Sequence, residues 1–115
     1  MTVFALNGFS QSITVELDTN QTLQDSDAGS VAYADIDLDG DNDLLITGNG
    51  PTTGVTSTLY ENDGSGNFTA VSQPAIVNVY IGAAEFADVD SDGDMDLMMT
   101  GNTSSPSATA NLYIN

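Results

Sequence analysis

Residues Asp35-Ile-Asp-Leu-Asp-Gly-Asp-Asn-Asp43 return 53 positions later as Asp88-Val-Asp-Ser-Asp-Gly-Asp-Met-Asp96. This duplication constrains the fold more than any other feature of the chain. Each copy sets carboxylates at positions 1, 3, 5 and 9, a fifth at position 7, and glycine at position 6. Five carboxylates crowded into one turn repel each other strongly unless a cation gathers them. Alternating carboxylates around a tight turn suit a hard cation, and Ca²⁺ takes about 6–8 oxygens in irregular geometry. Gly40 and Gly93 let the backbone bend where a Cβ would clash. The expected ligands are the side chains of Asp35, Asp37, Asp39 and Asp43 with the carbonyl of Asp41. The second set is Asp88, Asp90, Asp92 and Asp96 with the carbonyl of Asp94, giving two Ca²⁺ per chain.

The first five positions match an EF-hand loop, which would close with a bidentate Glu at position 12. Position 12 is Ile46 in one copy and Met99 in the other. Each loop runs instead into a short apolar segment, Leu44-Leu-Ile46 or Leu97-Met-Met99, that stops at Thr-Gly-Asn. That pattern reads as a buried strand bounded by a turn, not as the second helix of a helix–loop–helix. The Gly-Gly-x-Gly-x-Asp pattern of calcium-binding β-helices is absent as well.

The repeat extends beyond the loops. Gly29–Asn62 aligns with Gly82–Asn115 without a gap, and 16 of 34 positions are identical, among them Thr47-Gly-Asn49 with Thr100-Gly-Asn102 and Leu59-Tyr60 with Leu112-Tyr113. A period near ~40–50 built of short strands points to propeller blades. In each unit one strand leads into the loop (30–35, 83–88) and a second leaves it (44–47, 97–100). A Gly/Pro/Ser/Thr-rich connection follows (49–55, 102–108), then a third strand (57–61, 110–114). Asn62-Asp-Gly-Ser-Gly-Asn67 is a hairpin turn into a fourth strand, Phe68–Val71. No sustained helical period occurs, so the expected class is all-β, with blades of four antiparallel strands and two blades per chain.

Three regions follow. Residues 29–81 form the first blade and residues 82–115 the second, which lacks its outer strand. Residues 1–28 supply N-terminal strand and loop. There Asn7-Gly-Phe9 resembles a shortened version of the turn leading to Phe68, Ser12–Leu17 alternates like a half-buried strand, and residues 2–6 read as a further strand or tail. The outer strand thus lies at the wrong end of the chain to complete the last blade, and a neighbouring copy supplies the remedy. Unpaired edges invite pairing, and a head-to-tail contact closes into a ring when the rotation allows. Propellers have about 4–8 blades, which favours a trimer of six blades or a tetramer of eight.

Composition narrows the partners. The chain has 115 residues, 17 acids and no Lys, Arg or His, for a formal charge of −17. Two calcium ions would bring that to −13. Nothing here neutralises phosphates, so nucleic acid and anionic membrane are not expected partners. The lack of His and Cys removes the usual transition-metal ligands and two common catalytic groups. Acidity and calcium loops suit an extracellular setting. Met1–Leu6 lacks the basic start and apolar run of a signal peptide, so in a secreted parent this chain reads as a mature form or an excised piece.

Strand, Asp-x-Asp-x-Asp-Gly-x-x-Asp loop, strand, Thr-Gly: residues 34–48 and 87–101, with Leu59-Tyr60 and Leu112-Tyr113, resemble the FG-GAP or VCBS repeat. These are the calcium-binding blades of integrin α-subunit propellers and of many secreted bacterial proteins. Asn67-Phe68 stands where the family has Phe-Gly, and Thr-Gly-Asn replaces Gly-Ala-Pro, which places the chain nearer the bacterial blades. The resemblance implies calcium stiffening the loop between the first two strands of each blade, and a role as an adhesion or binding module. The short length implies a fragment, an engineered two-blade unit or a natural self-assembling one.

Three functions compete. The first is a non-catalytic calcium propeller that binds a glycan or protein, with Tyr33, Tyr60, Tyr80, Tyr113, Phe68 and Phe86 as stacking candidates; aromatics at strand spacing more often form core. The second is a structural repeat unit with no ligand but calcium. The third, ranked last, is a carboxylate-based glycosidase using Glu16, Glu61 or Glu85, of which Glu85 also reads as a solvated rim residue.

Overall fold

A computed structural model describes residues 14–73, 75–105 and 107–115. Among the described residues seven strands form two antiparallel sheets: β1 (Asp27–Ala34), β2 (Asp43–Gly50), β3 (Gly54–Asn62) and β4 (Phe68–Val71) in the first, β5 (Tyr80–Ala87), β6 (Asp96–Asn102) and β7 (Ala108–Tyr113) in the second. The sheet orders are β1-β2-β3-β4 and β5-β6-β7, with every neighbour consecutive in sequence. This meander follows from short polar connections between apolar runs, which leave each strand no nearer partner than the next. The all-β class and the four-plus-three strand count agree with the sequence reading. No helix among the described residues is long and apolar enough to cross a membrane.

β2 is buried along nearly its whole length, as its run of apolar residues requires of a central strand. One of its faces carries Leu45, opposite Ala32 on β1 and Leu59 on β3. These side chains meet Val79, just ahead of β5, and Ala84, Leu97 and Met99 of the second unit in one core. Leu45, Met99 and Val79 are fully buried, and each contributes about 1.5–3 kcal/mol by leaving water. The other face carries Leu44, Ile46 and Tyr60, with Phe68 of β4 packed on them. The incoming segment is fastened over that face: the Gln24 N–H donates to Tyr60 Oη at 2.9 Å, and Thr58 Oγ1 donates to Gln24 Oε1.

The sheets pack through β1 and β5, with β2 also touching β5. A hydrogen bond from the Ala84 N–H to Ser30 Oγ, 3.2 Å, crosses the junction. The two units therefore use opposite faces. Ala32, Leu45 and Leu59 point at the second sheet and are buried, while their repeat equivalents Glu85, Met98 and Leu112 are exposed. Conversely, Ala84 and Phe86 belong to the shared core, whereas their equivalents Val31 and Tyr33 are 52 % and 62 % exposed.

One expectation is corrected. Thr47-Gly-Asn49 and Thr100-Gly-Asn102 lie inside β2 and β6 and do not form turns. The reason is a bulge in the partner strand. Pairing shifts between Asp27 and Ser30 and again between Tyr80 and Ala83, at residues with left-handed backbone, Ala28 (φ 51°) and Ile81 (φ 47°). The bulge brings Gly29 and Gly82 so close that an added Cβ would stand 1.8 Å from the Thr47 carbonyl oxygen and 1.9 Å from that of Thr100. The Thr-Gly-Asn triplets face this crowded backbone as strand.

Thr14–Leu17 carry no strand, and Val15 and Leu17 are 89 % and 88 % exposed. The turn expected at Asn7–Phe9, the strand or tail at residues 2–6 and the start of the strand expected over Ser12–Leu17 lie outside the described residues.

Candidate metal centres

Each acidic loop joins the first two strands of its sheet, Asp35–Asn42 between β1 and β2 and Asp88–Met95 between β5 and β6. The backbone takes the same course in both. Position 4 is left-handed (Leu38, φ 62°; Ser91, φ 67°), as is the position-6 glycine (Gly40, φ 100°; Gly93, φ 102°). Two left-handed residues in three turn the chain back on itself, which draws the side chains at positions 1, 3 and 5 inward. In the first loop one carboxylate oxygen from each of Asp35, Asp37 and Asp39 lies within 4.8 Å of the other two. Asp88, Asp90 and Asp92 converge in the same way.

Backbone amides hold this arrangement. Asp35 accepts from the N–H groups of Asp39 and Gly40, both at 3.0 Å, and Asp88 accepts from Asp92 at 3.2 Å and Gly93 at 3.1 Å. The Asp41 N–H donates to Asp39 Oδ1 and the Asp94 N–H to Asp92 Oδ1, each at 3.0 Å. The crowding shows in acidity. Loss of hydrating water, opposed in part by the Asp39 N–H and reinforced by the Asp39, Asp43 and Asp35 charges, raises the Asp37 carboxyl above its ordinary value. Asp90 is raised likewise, first by desolvation and then by the Asp92 charge.

The position-9 residues stand apart from these triads. Asp43 is 2 % exposed and Asp96 1 %. Asp43 Oδ2 accepts from the Ile36 N–H and Oδ1 from the Asn62 N–H, both at 3.0 Å. Asp96 repeats the pair with Val89 at 2.8 Å and Asn115 at 3.0 Å. Each thus buckles the start of its loop to the end of the third strand. The sequence reading had no means of finding this second task, because a buried Asp in an acidic run looks like every other Asp. Asp41 leans the other way, its Oδ2 only 2.3 Å from where a Cβ on Gly64 would stand, so its carboxylate rests on the Asn62–Asn67 turn. That turn is tied by Asp63, which accepts from the Ser65 and Asn67 N–H groups and, at 2.7 Å, from the Asn67 amide. These bonds, the Asn67 amide foremost, lower the Asp63 carboxyl.

The donor set is all oxygen and mostly carboxylate, the chemistry that suits a hard divalent cation such as Ca²⁺. Asp35, Asp37 and Asp39, and Asp88, Asp90 and Asp92, are the residues placed to hold one ion in each loop. Most of the candidate aromatics went to packing: Tyr60 is buried, Phe68, Tyr80, Phe86 and Tyr113 are half-buried, and Tyr33 is open to solvent.

Two small antiparallel sheets, each carrying an acidic loop between its first and second strands, define a duplicated β-repeat with twin candidate cation loops. Residues 35–99 match the model of the FG-GAP-like repeat. The match covers more than half of the chain, and the chain belongs to that family. Neither a curated protein nor a solved structure matches it.

Proposed function

We propose that this chain is a calcium-stabilised propeller module, a non-catalytic scaffold for adhesion or for glycan or protein binding, that closes into a ring of three or four copies outside the cell. The observation that carries the calcium reading is the pair of loops with the same backbone and the same convergence of three carboxylates. A self-repelling cluster built twice at the same point of a repeat makes sense as half of a site whose other half is a cation.

Assembly is supported by the open faces. Met98, Leu112 and Glu85 present the face that the first unit buries internally, and Val31 and Tyr33 present the face that the second unit buries. Each exposed face is the repeat equivalent of one half of the junction already made within the chain. Stacking a second copy end to end would reproduce that junction. Repeats of this kind contact only their neighbours and leave terminal faces that need covering, and a heterologous contact that closes forms a ring. The carboxylates outside the loops that would serve a glycosidase, Glu16, Glu61 and Glu85, all stand exposed, which favours the scaffold reading.

Calorimetric titration of the chelator-stripped protein with calcium is expected to give two ions per chain and a rise in melting temperature. At a calcium concentration a hundredfold above Kd each site adds about 2.7 kcal/mol. Asp39→Ala and Asp92→Ala should each remove one site and its share of the rise. Parent-like binding by both variants would mean that the loops do not hold the metal.

A further inference from the structure

Asn62 closes β3, and Asn115, its repeat equivalent, follows β7. Their backbone N–H groups play the same part, donating at 3.0 Å to Asp43 Oδ1 and to Asp96 Oδ1. Their side chains do not. The Asn62 amide donates to the Asn42 carbonyl of its own loop at 3.1 Å. The Asn115 amide reaches across to the other unit and donates to the Ile36 carbonyl of the first loop at 3.0 Å.

Ile36 is position 2 of the first loop and lies between the candidate ligands Asp35 and Asp37. Its N–H donates to Asp43 Oδ2 at 3.0 Å, and its side chain packs on the core shared by the two sheets. Val89 is position 2 of the second loop, between Asp88 and Asp90. Its N–H donates to Asp96 Oδ2 at 2.8 Å, but its side chain is 51 % exposed. The first loop is thus docked on the second unit. One unbroken set of hydrogen bonds runs through Val89, Asp96, Asn115, Ile36 and Asp43. In each loop it ends on the residue that two candidate ligand carboxylates flank.

We infer that Asn115 is a positioning residue shared by the two loops, and that filling either loop raises the affinity of the other for calcium. Carboxylates that repel each other leave the peptide between them loosely set. Asp35 and Asp37, once gathered, fix the Ile36 peptide. Its carbonyl then holds the Asn115 amide, Asn115 and Asp96 are held with it, and Val89 is set in advance between Asp88 and Asp90. Part of the ordering that the second loop needs is already done when it closes. Linkage requires the same benefit in the other direction. Charge acts the opposite way, because a filled loop attracts a second cation less than an empty one. The share of Asn115 is therefore a difference between chains of equal charge that differ at residue 115. The inference rests on the calcium reading proposed above and adds the coupling between its two sites.

Calorimetric titration of the chelator-stripped chain with calcium gives the product of two stepwise association constants. The single-site chains Asp39→Ala and Asp92→Ala give one constant each. Dividing the first product by the product of these two measures the coupling. Adding Asn115→Ala to all three chains keeps their charges and the bond from the residue-115 N–H to Asp96. It is expected to lower the ratio about threefold, as much as one exposed hydrogen bond carries. A second readout needs no binding constants. In Asp92→Ala, calcium filling the first loop should shift the amide resonance of Val89 in the second, and Asn115→Ala should abolish that shift. An unchanged ratio, or a Val89 shift that survives Asn115→Ala, would overturn the coupling and leave both loops standing as calcium sites. No binding by the parent chain would remove the calcium reading and the coupling with it.

Discussion

Asp43 and Asp96 do not resemble the other loop acids once the fold is formed. Each is buried and each spends both oxygens on backbone N–H groups at 2.8–3.0 Å. An Asn at either position keeps one acceptor and turns an NH₂ toward a backbone donor, leaving a buried N–H unpaired. Such a loss costs about 1–3 kcal/mol. Asp43→Asn and Asp96→Asn should therefore lower the chemical-denaturation stability by about 2 kcal/mol with calcium and equally in chelator. A loss confined to the calcium-loaded protein would make these residues ligands and not buckles. The pH response separates the loop acids from the turn acids. Asp37 and Asp90 have raised carboxyl values in the fold, so the stability they contribute is full below the ordinary carboxylate value near ~4 and is lost as pH rises through their folded values. Asp18 and Asp63 are lowered, each by hydrogen bonds within its own turn, and their contribution is lost only as pH falls below that range. On the acid side of neutrality the raised pair titrates first. In chelator the melting temperature is expected to rise as pH falls from neutrality toward the ordinary carboxylate range, and in calcium to fall as protons displace the ion. A fall in both buffers would contradict the loop electrostatics. At this scale the sequence was most readable in the loops, since carboxylate spacing and Gly40 and Gly93 state the chemistry directly. The left-handed Leu38 and Ser91 were not readable, because neither residue type announces that backbone.

At the scale of the element, the strands were legible wherever an apolar run was bounded by turn residues. Phe68–Val71 has the bounds expected, and the core of every other strand falls where the pattern placed it. The errors lie at ends governed by contacts distant in sequence. Thr47-Gly-Asn49 reads locally as a stop, yet it pairs onward to Gly50 because the bulge at Ala28-Gly29 keeps the partner strand alongside. The bulge leaves one local trace, Gly29 and its repeat Gly82. A Cβ on Gly82 would press 1.9 Å from a backbone oxygen with no flexible side chain to give way. Gly82→Ala should cost about 1–3 kcal/mol, the range for overpacking a tight site, read as a lower denaturation midpoint at unchanged slope. A neutral outcome would show that the bulge yields easily. The alternation over Thr14–Leu17 is that of a strand, but alternation does not say which edge receives it.

The whole molecule is two sheets sharing one core, with the halves of that junction repeated on both ends. Internal duplication made this legible in outline from sequence alone, because two units related by 53 residues must pack by one rule or leave it broken at the termini. Which faces meet was not legible; it follows from Leu45 being fully buried while its equivalent Met98 is 43 % exposed. Calcium and assembly are coupled in this account, since a self-repelling loop lies beside each inner strand that forms the junction. The most direct measurement is the solution mass by light scattering on a sizing column, first in calcium and then in chelator. The account predicts three or four chains of 11.9 kDa in calcium and loss of that mass on chelation. A single chain in both buffers would contradict it.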